Sequence, residues 1–399
     1  MIHFRQAKKI IAPGVWGAFY YGLYWLADAA FDPFLNVHYN RLGLNGIEIG
    51  WLSMILPFFV LVLSPVISRT ADKYAIRVRL LTILTFSVAI FLAVYTIPQT
   101  FLQFLPIVIF VSVLRCGVGP LGDSLIARMA SKYQVAYGNM RLWGSFMFFI
   151  TSIGLGILWS HLGFKYMFII AGIFFIPTAI IAAFLEEPEG TLSDPAKIND
   201  NLAAFKNFIK DKALILVTLA SFLGMGALNM TGNFIGIYIE MVDGNEFHIG
   251  ALWGLSALFE VPTMLYSKKI VRKIGYTHTL VISYVLIALG FFGYSLSSAP
   301  WQLILFACIR GLGFGLSFVN TVTLVDLRSP VEFSTTYQGI LSSLIWGLAP
   351  LLAGPVSGFI FENYGPVPLF ISCGVICLTA CLLLIPNYVL LPRQDKRAL

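Results

Sequence analysis

Twelve long apolar runs constrain this 399-residue chain more than any other feature of its sequence. Charged residues, glycine or proline bound each run, and most runs supply the roughly 20 apolar residues that a helix needs to cross a bilayer. Lipid offers the backbone no hydrogen-bond partners, so spanning segments are helices or closed barrels, and runs of this length are helical. The predicted spans, numbered 1 to 12 below, are residues 12–38, 46–67, 79–97, 102–126, 143–160, 164–185, 213–239, 248–266, 278–296, 301–325, 338–361 and 367–391.

The composition agrees with a polytopic membrane protein. Hydrophobic residues make up 58% of the chain and charged residues 11%, whereas an average soluble protein is about 25% charged. These values exclude an ordinary soluble domain, a disordered chain and a disulfide-rich secreted module. The first run is too long for a cleavable signal peptide and contains Asp28 and Asp32. All five cysteines lie in apolar runs, so neither a disulfide framework nor a metal site is predicted, and no cofactor is expected.

The positions of the basic residues predict the topology. If the N-terminus is cytoplasmic, 22 of the 26 lysines and arginines fall inside, whereas Arg41 and Lys165 fall outside and Arg115 and Arg310 lie within spans. This asymmetry is a positive-inside signal, which places both termini in the cytoplasm. It also explains the net charge of +7 without a nucleic acid. Four tryptophans near span ends are predicted to anchor the helices at the interface: Trp16, Trp51, Trp159 and Trp301.

A polar segment divides the chain into two sets of six spans. The predicted organisation is an N-terminal six-helix bundle at 1–187, a cytoplasmic central loop at 188–211 and a C-terminal six-helix bundle at 212–399. Within the loop, apolar and basic residues alternate with helical spacing, which favours a short amphipathic helix on the inner leaflet. A solvated linker is the alternative. The apolar positions are Leu202, Phe205, Phe208 and Ile209, and the basic ones Lys206 and Lys210.

The two halves repeat each other faintly at an offset near 200 residues. Residues 115–119 align with residues 310–315, each beginning with an arginine and continuing with glycines. Asp28 and Asp32 align with Asn229 and Asn233, at the same spacing of four. A parallel duplication of six helices is typical of secondary transporters, which bind substrate near the membrane midplane between the halves.

Twelve spans, this repeat and a central loop resemble the major facilitator superfamily. Residues 69–79 are similar to its signature loop between spans 2 and 3, with Ser68 and Ala75 where glycines are usual. The block at 137–145 resembles the phenylpropionate-permease-like branch, near the lactose and nucleoside proton symporters. A Gly-Pro motif of drug/proton antiporters, usual in span 5, occurs instead at Gly354 and Pro355. The resemblance implies an all-α fold of two pseudo-symmetric six-helix bundles, in which spans 1, 4, 7 and 10 line a cavity and spans 3, 6, 9 and 12 face lipid.

Ionisable residues inside the predicted spans mark candidate sites, because each costs roughly 2.5–3.5 kcal/mol at the centre of a membrane helix. A stripe on span 1 combines aromatic residues with two aspartates, and spans 4, 7, 8 and 10 add polar or charged side chains. Such stripes predict a wet cavity, with interhelical hydrogen bonds as the alternative. We expect Arg115 to pair with Asp28 or Asp32, and Arg310 with Glu260. The substrate-cavity candidates are Tyr21, Trp25, Arg115, Asn229, Asn233, Trp253 and Arg310.

Proton coupling requires a carboxyl group whose proton affinity changes as the cavity opens and closes. Asp28, Asp32 and Glu260 are the candidates, since every histidine lies in or near a predicted loop. A second group, in and near the loop between spans 2 and 3, resembles the superfamily's cytoplasmic gate. For Asp123, bracing this gate and lining the cavity are equally open. The gate candidates are Asp72, Lys73, Arg77, Arg79 and Asp123.

These features predict a secondary active transporter for a small organic solute, working by alternating access and coupled to protons as a symporter. A proton-coupled efflux antiporter is the alternative, and an intramembrane enzyme is a distant one, because no nucleophile–base or metal motif is present. We expect a monomer in the cell's inner (plasma) membrane. The sequence leaves a carboxylate, a sugar and a nucleoside open as substrates.

Overall fold

A computed structural model of the chain describes residues 13–133, 137–187, 197–330 and 333–390. All regular secondary structure in these ranges is helical. Of the predicted features, linker residues 188–196, the Leu202 side chain and the terminal basic residues at 5, 8, 9, 393, 396 and 397 lie outside the described part. Before residue 188 the helices are α1 Pro13–Ala29, α2 Leu35–Arg41, α3 Gly46–Val62, α4 Ser64–Lys73, α5 Arg77–Phe91, α6 Phe101–Arg115, α7 Val118–Lys132, α8 Tyr137–Leu162 and α9 Met167–Phe184.

The second half continues with longer helices. In the described ranges eleven helical segments are long and apolar enough to cross a membrane, and α1, with 17 residues, provides the first predicted span. The predicted all-α membrane fold is therefore confirmed. The remaining helices are α10 Lys197–Lys210, α11 Lys212–Met241, α12 Glu246–Ile274, α13 Tyr276–Leu296, α14 Pro300–Arg328, α15 Ser334–Ser342, α16 Ala349–Tyr364, α17 Pro366–Leu383 and α18 Asn387–Leu390, with a π-helical segment, Ser343–Leu348, between α15 and α16.

The first span is not one continuous helix. Helix α1 ends at Ala29, and a 3-10 turn, Asp32–Phe34, precedes α2. Pro33 explains the break, because its ring clashes with the carbonyl four residues earlier and it lacks an N–H. Trp159 donates its indole N–H to the carbonyl of Ala30 at 3.1 Å, which satisfies a group that the break exposes. The side chain of Trp159 is fully buried, so it does not serve as the predicted interfacial anchor.

The described chain forms two compact units. Unit 1 contains the described residues within Met1–Leu44, Ile55–Ser193 and Asn245–Gly254. Unit 2 contains those within Asn45–Met54, Asp194–Gly244 and Leu255–Leu399. In unit 1, α1 packs against α8 and α9, and α9 packs against α5. In unit 2, α11 packs against α16 and α17, and α13 packs against α14 and α17.

Each unit includes one short segment from the other half of the sequence, 245–254 in unit 1 and 45–54 in unit 2. Glycines allow these two segments to pack closely against the helices of their units. Within unit 1, a Cβ atom added to Gly250 of α12 would lie 2.0 Å from the carbonyl oxygen of Ser152 on α8. Within unit 2, one added to Gly50 of α3 would lie 2.5 Å from the carbonyl oxygen of Gly354 on α16. Any side chain would force these helices apart, so both contacts depend on glycine. They also sit at equivalent positions of the repeat, 200 residues apart.

The turns after α2 and α11 repeat each other at the same offset. Each closes its helix with a Schellman motif, whose left-handed residue is Gly43 (φ 87°) in one turn and Asp243 (φ 61°) in the other. Two residues later an asparagine caps the next helix together with the residue three positions further along. In each pair, the side chain of one residue accepts a hydrogen bond from the backbone amide of the other. The capping pairs are Asn45 with Glu48, at 2.9 and 3.0 Å, and Asn245 with His248, at 3.2 and 3.4 Å.

Rows of exposed apolar side chains run along α5, α9, α13 and α17, the helices of predicted spans 3, 6, 9 and 12. Their spacing of three and four residues places each row on one helix face. In a membrane these rows contact lipid tails, so their exposure costs nothing there. The rows are Ile83, Phe86 and Ile90; Ile169, Ile173, Ile176 and Ile180; Ile282, Val285 and Leu289; and Ile371, Val375, Leu378 and Leu382.

Candidate functional site

A cluster of charged side chains in unit 1 joins α1, the turn after it and α6. Arg115, the last residue of α6, forms an ion pair with Asp28 and a second one with Asp32 across 3.2 Å. The guanidinium also lies over the face of the Phe31 ring, 4.9 Å from its centroid. Both aspartates therefore contact one arginine, where a pair with either one was expected.

The two aspartates differ in exposure. The side chain of Asp28 is 8% exposed and that of Arg115 14%, whereas that of Asp32 is 50% exposed. An arginine stays protonated in proteins, so with both aspartates ionised the cluster carries one net negative charge. It can therefore accept one proton and still keep a carboxylate beside the guanidinium. Of the three side chains, that of Asp32 is the most exposed, so it is the one most accessible to a proton.

Tyr21 and Asp123, two further predicted site residues, meet about two helical turns from Asp28. Tyr21 of α1 is buried and donates its hydroxyl proton to Asp123 of α7 at 2.5 Å. Trp25 packs its indole against Gly144, where an added Cβ atom would lie 2.4 Å from the ring, and meets Phe148 edge-on at 5.9 Å. These contacts tie α1 to α7 and α8 within unit 1.

In unit 2, Arg310 of α14 is buried and donates to the hydroxyl of Ser256 on α12 at 2.7 Å. The two helices approach closely because α14 presents glycines to α12. Cβ atoms added to Gly311 and Gly315 would lie 2.4 and 2.6 Å from the carbonyl oxygens of Ser256 and Glu260. Glu260 is half-buried one turn further along α12. The pairing of Arg310 with Glu260 stays a prediction.

The remaining cavity candidates lie on α11 and α12. Asn229 donates to the carbonyl of Met225 in its own helix at 2.8 Å, and Asn233 donates to Ser357 of α16 at 3.2 Å. Trp253 is half-buried on α12. In these two hydrogen bonds the asparagines aligned with the aspartates of unit 1 contact neutral groups.

Unit 2 also contains a small cavity of about 30 Å³ between α11, α13 and α14. Its polar side is a chain of hydroxyl groups in which Tyr284 donates to Ser221 at 3.1 Å and Ser221 lies 2.9 Å from Thr321. Phe314 and Phe318 form part of its apolar lining. The cavity has room for a water molecule or two and not for an organic solute. Sequence reasoning missed it, because its residues lie about 40 to 100 positions apart.

The predicted gate residues gather at the turn between α4 and α5. Asp72 forms an ion pair with Arg77, whose side chain is buried, and Lys73 lies 5.2 Å from the centroid of the Tyr74 ring. Arg79 is exposed. Asp123 accepts the hydrogen bond from Tyr21 described above.

Ala75 shows why the superfamily signature carries glycine here. The turn closes α4 with a Schellman motif, in which the amide of Ala75 bonds the carbonyl of Asp72 and that of Ile76 bonds the carbonyl of Ala71. The motif requires a left-handed residue, and Ala75 adopts φ 51°. Alanine is strained in this conformation, because its Cβ atom lies too close to the following carbonyl oxygen, and glycine has no Cβ atom.

Two glutamates at the end of α9 complete this end of unit 1, and sequence reasoning missed both. Glu187 accepts hydrogen bonds from the amides of Arg77 and Val78, at 3.0 and 2.7 Å, and so caps α5. Glu186 accepts from Tyr133 at 2.6 Å and pairs with Lys132 at 3.0 Å. The bond to Glu186 raises the pKa of the Tyr133 phenol. The sequence signal that could have found them is a pair of adjacent glutamates after α9, together with the basic residues at the start of α5.

The model of the MFS_1 like family matches residues 15–372, most of the chain. The chain belongs to the MFS_1 like family. It is therefore a secondary transporter with multiple membrane spans, and it is not an enzyme. The predicted resemblance to the major facilitator superfamily is confirmed.

Individual relatives agree with this assignment. The chain is 24% identical to maltose permease of Geobacillus stearothermophilus over 382 residues, 95% of each protein. It is 24% identical over 359 residues to a probable 3-phenylpropionic acid transporter of Escherichia coli K12, covering 88% of this chain and 92% of that protein. The structure of a mutant of the nucleoside transporter NupG matches with a TM-score of 0.81 and 15% identity, covering 94% of this chain and all of that one.

Proposed function

We propose that this transporter imports a small, uncharged, polyhydroxylated solute such as a sugar together with protons, by alternating access. The observation that carries the proposal is the cluster of Arg115 with Asp28 and Asp32. It combines a buried ion pair with a half-exposed carboxylate that can take up a proton.

The charge of the cluster bears on the substrate class. A carboxylate substrate would have to approach an arginine that two aspartates already hold, and it would meet net negative charge. An uncharged solute avoids both costs and can hydrogen-bond to the exposed oxygen of Asp32. Maltose permease and the nucleoside transporter are named for uncharged, hydroxylated solutes, which favours the same class, whereas the phenylpropionic acid relative is named for an acid.

The difference in exposure assigns separate roles to the aspartates. Protonation of Asp32 removes the net negative charge of the cluster, and Asp28 continues to balance Arg115. Deprotonation of Asp32 restores the charge, which is unfavourable in a closed, dry cavity. Asp32 is then the coupling residue in this proposal, and Asp28 positions the arginine. Glu260 is the next candidate if the coupling proton binds elsewhere.

Proteoliposomes with an imposed inward proton gradient test this proposal, with labelled maltose, sucrose and uridine as probes. The parent should accumulate one of these against its gradient. Asp32→Asn should lose uphill accumulation and keep downhill exchange, because the amide cannot exchange a proton. Asp243→Asn is the matched control, since it makes the same chemical change in an exposed turn.

Three results would contradict the proposal or part of it. Accumulation by Asp32→Asn equal to that of the parent would remove this residue from coupling. Substrate-dependent proton movement opposite to the substrate would indicate an antiporter instead. Preferential transport of a labelled phenylpropionate would overturn the uncharged substrate class while leaving proton coupling intact.

The proposed orientation places both termini and the turn between α4 and α5 in the cytoplasm. In support, 22 of the 26 basic residues fall on that side of the predicted topology. In this orientation the ion pair of Asp72 with Arg77 belongs to the cytoplasmic gate. We also propose that bundles 1–187 and 212–399, joined by the loop 188–211, act together as a monomer.

A further inference from the structure

A basic pocket of about 470 Å³ lies in unit 2 where the end of α10 meets the start of α11 and the end of α14. Cationic side chains from all three elements line it, together with Asp211 and Asn207. The cations are Lys210, Lys212 and Arg328. Because α11 and α14 are membrane spans, a pocket at their ends lies at the level of the lipid headgroups.

The positive charge of this pocket is only partly balanced within the described residues. Asp211 accepts from the amides of Ala213 and Leu214, so it caps α11, and its other oxygen binds Arg328 at 2.8 Å. With that pair neutral, Lys210 and Lys212 leave the pocket with two positive charges. Both lysines are exposed and their ammonium groups can turn toward a ligand. The pocket therefore suits a polar ligand with one or more negative charges.

Helix α10 holds Lys210 in place because its buried face is anchored in unit 2. Ala204 and Phe208 are buried in a cluster with residues of α11, α14 and α15, and Phe208 meets Tyr337 edge-on at 5.0 Å. The first predicted alternative, an amphipathic helix, is thus favoured over a solvated linker. The last residue of an anchored helix has a defined position, and the helix dipole favours a cation there.

The outer face of α10 shows what surrounds the pocket. Phe205 and Ile209 are 47% and 49% exposed. Each is followed in the sequence by an exposed lysine, Lys206 and Lys210. In water these two apolar side chains would gain nothing from exposure, but at a membrane surface they can enter the acyl region while the lysines meet phosphates. A ligand with an anionic head and an apolar tail fits both features at once.

We propose that this pocket binds the phosphate headgroup of an anionic phospholipid, with Lys210 and Lys212 as its principal contacts. Basic pockets between helices at membrane surfaces are suited to such headgroups. The lipid would fasten α10 to the ends of α11 and α14. The proposal concerns a lipid site and does not depend on which solute is transported.

Native mass spectrometry of the protein from mixed phosphatidylglycerol and phosphatidylcholine nanodiscs tests this site. The parent should retain phosphatidylglycerol preferentially. The double variant Lys210→Gln with Lys212→Gln should lower this preference about 25-fold, since each lysine near a membrane surface contributes about a factor of five. The double variant Lys268→Gln with Lys269→Gln removes the same charge at exposed positions on α12 and should keep the preference.

Added inorganic phosphate distinguishes a lipid site from a site for free phosphate. The proposal expects phosphatidylglycerol to stay bound in millimolar phosphate and to raise the thermal unfolding temperature of the parent but not of the Lys210 and Lys212 variant. Equal loss of lipid in both double variants would overturn the site, as would displacement of the lipid by phosphate. Retained unfolding cooperativity in the double variant shows that it folds.

Discussion

Replacing Asp28 and Asp32 separately tests the asymmetry of the Arg115 cluster. Asp28→Asn removes the carboxylate of the buried pair and leaves the guanidinium, 14% exposed, with Asp32 alone. Removing one partner of a buried ion pair costs about 3–5 kcal/mol, and the remaining bond to Asp32 places the expected loss near 3 kcal/mol. Asp32→Asn removes a half-exposed partner, and such pairs contribute about 0–1 kcal/mol.

The assay is unfolding of the purified variants in one detergent, by heat and by denaturant. Asp28→Asn should be the less stable variant by about 2 kcal/mol or more, which follows from the two ranges above. Asp243→Asn is the control. It should be close to the parent, because asparagine tolerates the left-handed conformation that Asp243 adopts.

Transport should rank the two variants in the opposite order. Asp32→Asn should be stable and uncoupled, whereas Asp28→Asn should be unstable and retain some coupling in the fraction that folds. Equal stability losses, or a larger loss for Asp32→Asn, would refute the argument from burial. If the two variants were equally uncoupled and equally stable, the separate roles of the aspartates would fail as well.

Three further predictions concern other parts of the two units. Ala75→Gly should raise stability by about 1 kcal/mol in unfolding experiments, because glycine adopts the left-handed conformation without strain; a loss would contradict that strain. Asp72→Asn should slow turnover more than it weakens substrate binding, since it frees the buried Arg77; an unchanged uptake rate at equal expression would remove the gate role. Arg310→Gln and Glu260→Gln should be non-additive in a double-mutant cycle by about 0.5–3 kcal/mol; additive losses would argue against direct pairing.

The fold was predictable because it depends on local, repeated signals. A membrane helix needs an apolar run of fixed length, and that requirement is visible without any contact information. The same cost of burying charge confined the ionisable residues to a few spans, so Arg115 and its possible partners could be named. The left-handed turn at Ala75 is equally local, because the neighbouring sequence matches a motif in which glycine is usual.

The partners of these side chains depended on the tertiary structure. Arg115 meets both Asp28 and Asp32, which lie 87 and 83 residues earlier in the sequence. Glu187 caps α5 and Tyr21 binds Asp123 across about 100 residues of sequence. Which polar atoms meet across such separations depends on the rotation and depth of each helix. These are set by the packing of many neighbouring side chains, and the spacing of residues along one helix does not contain that information.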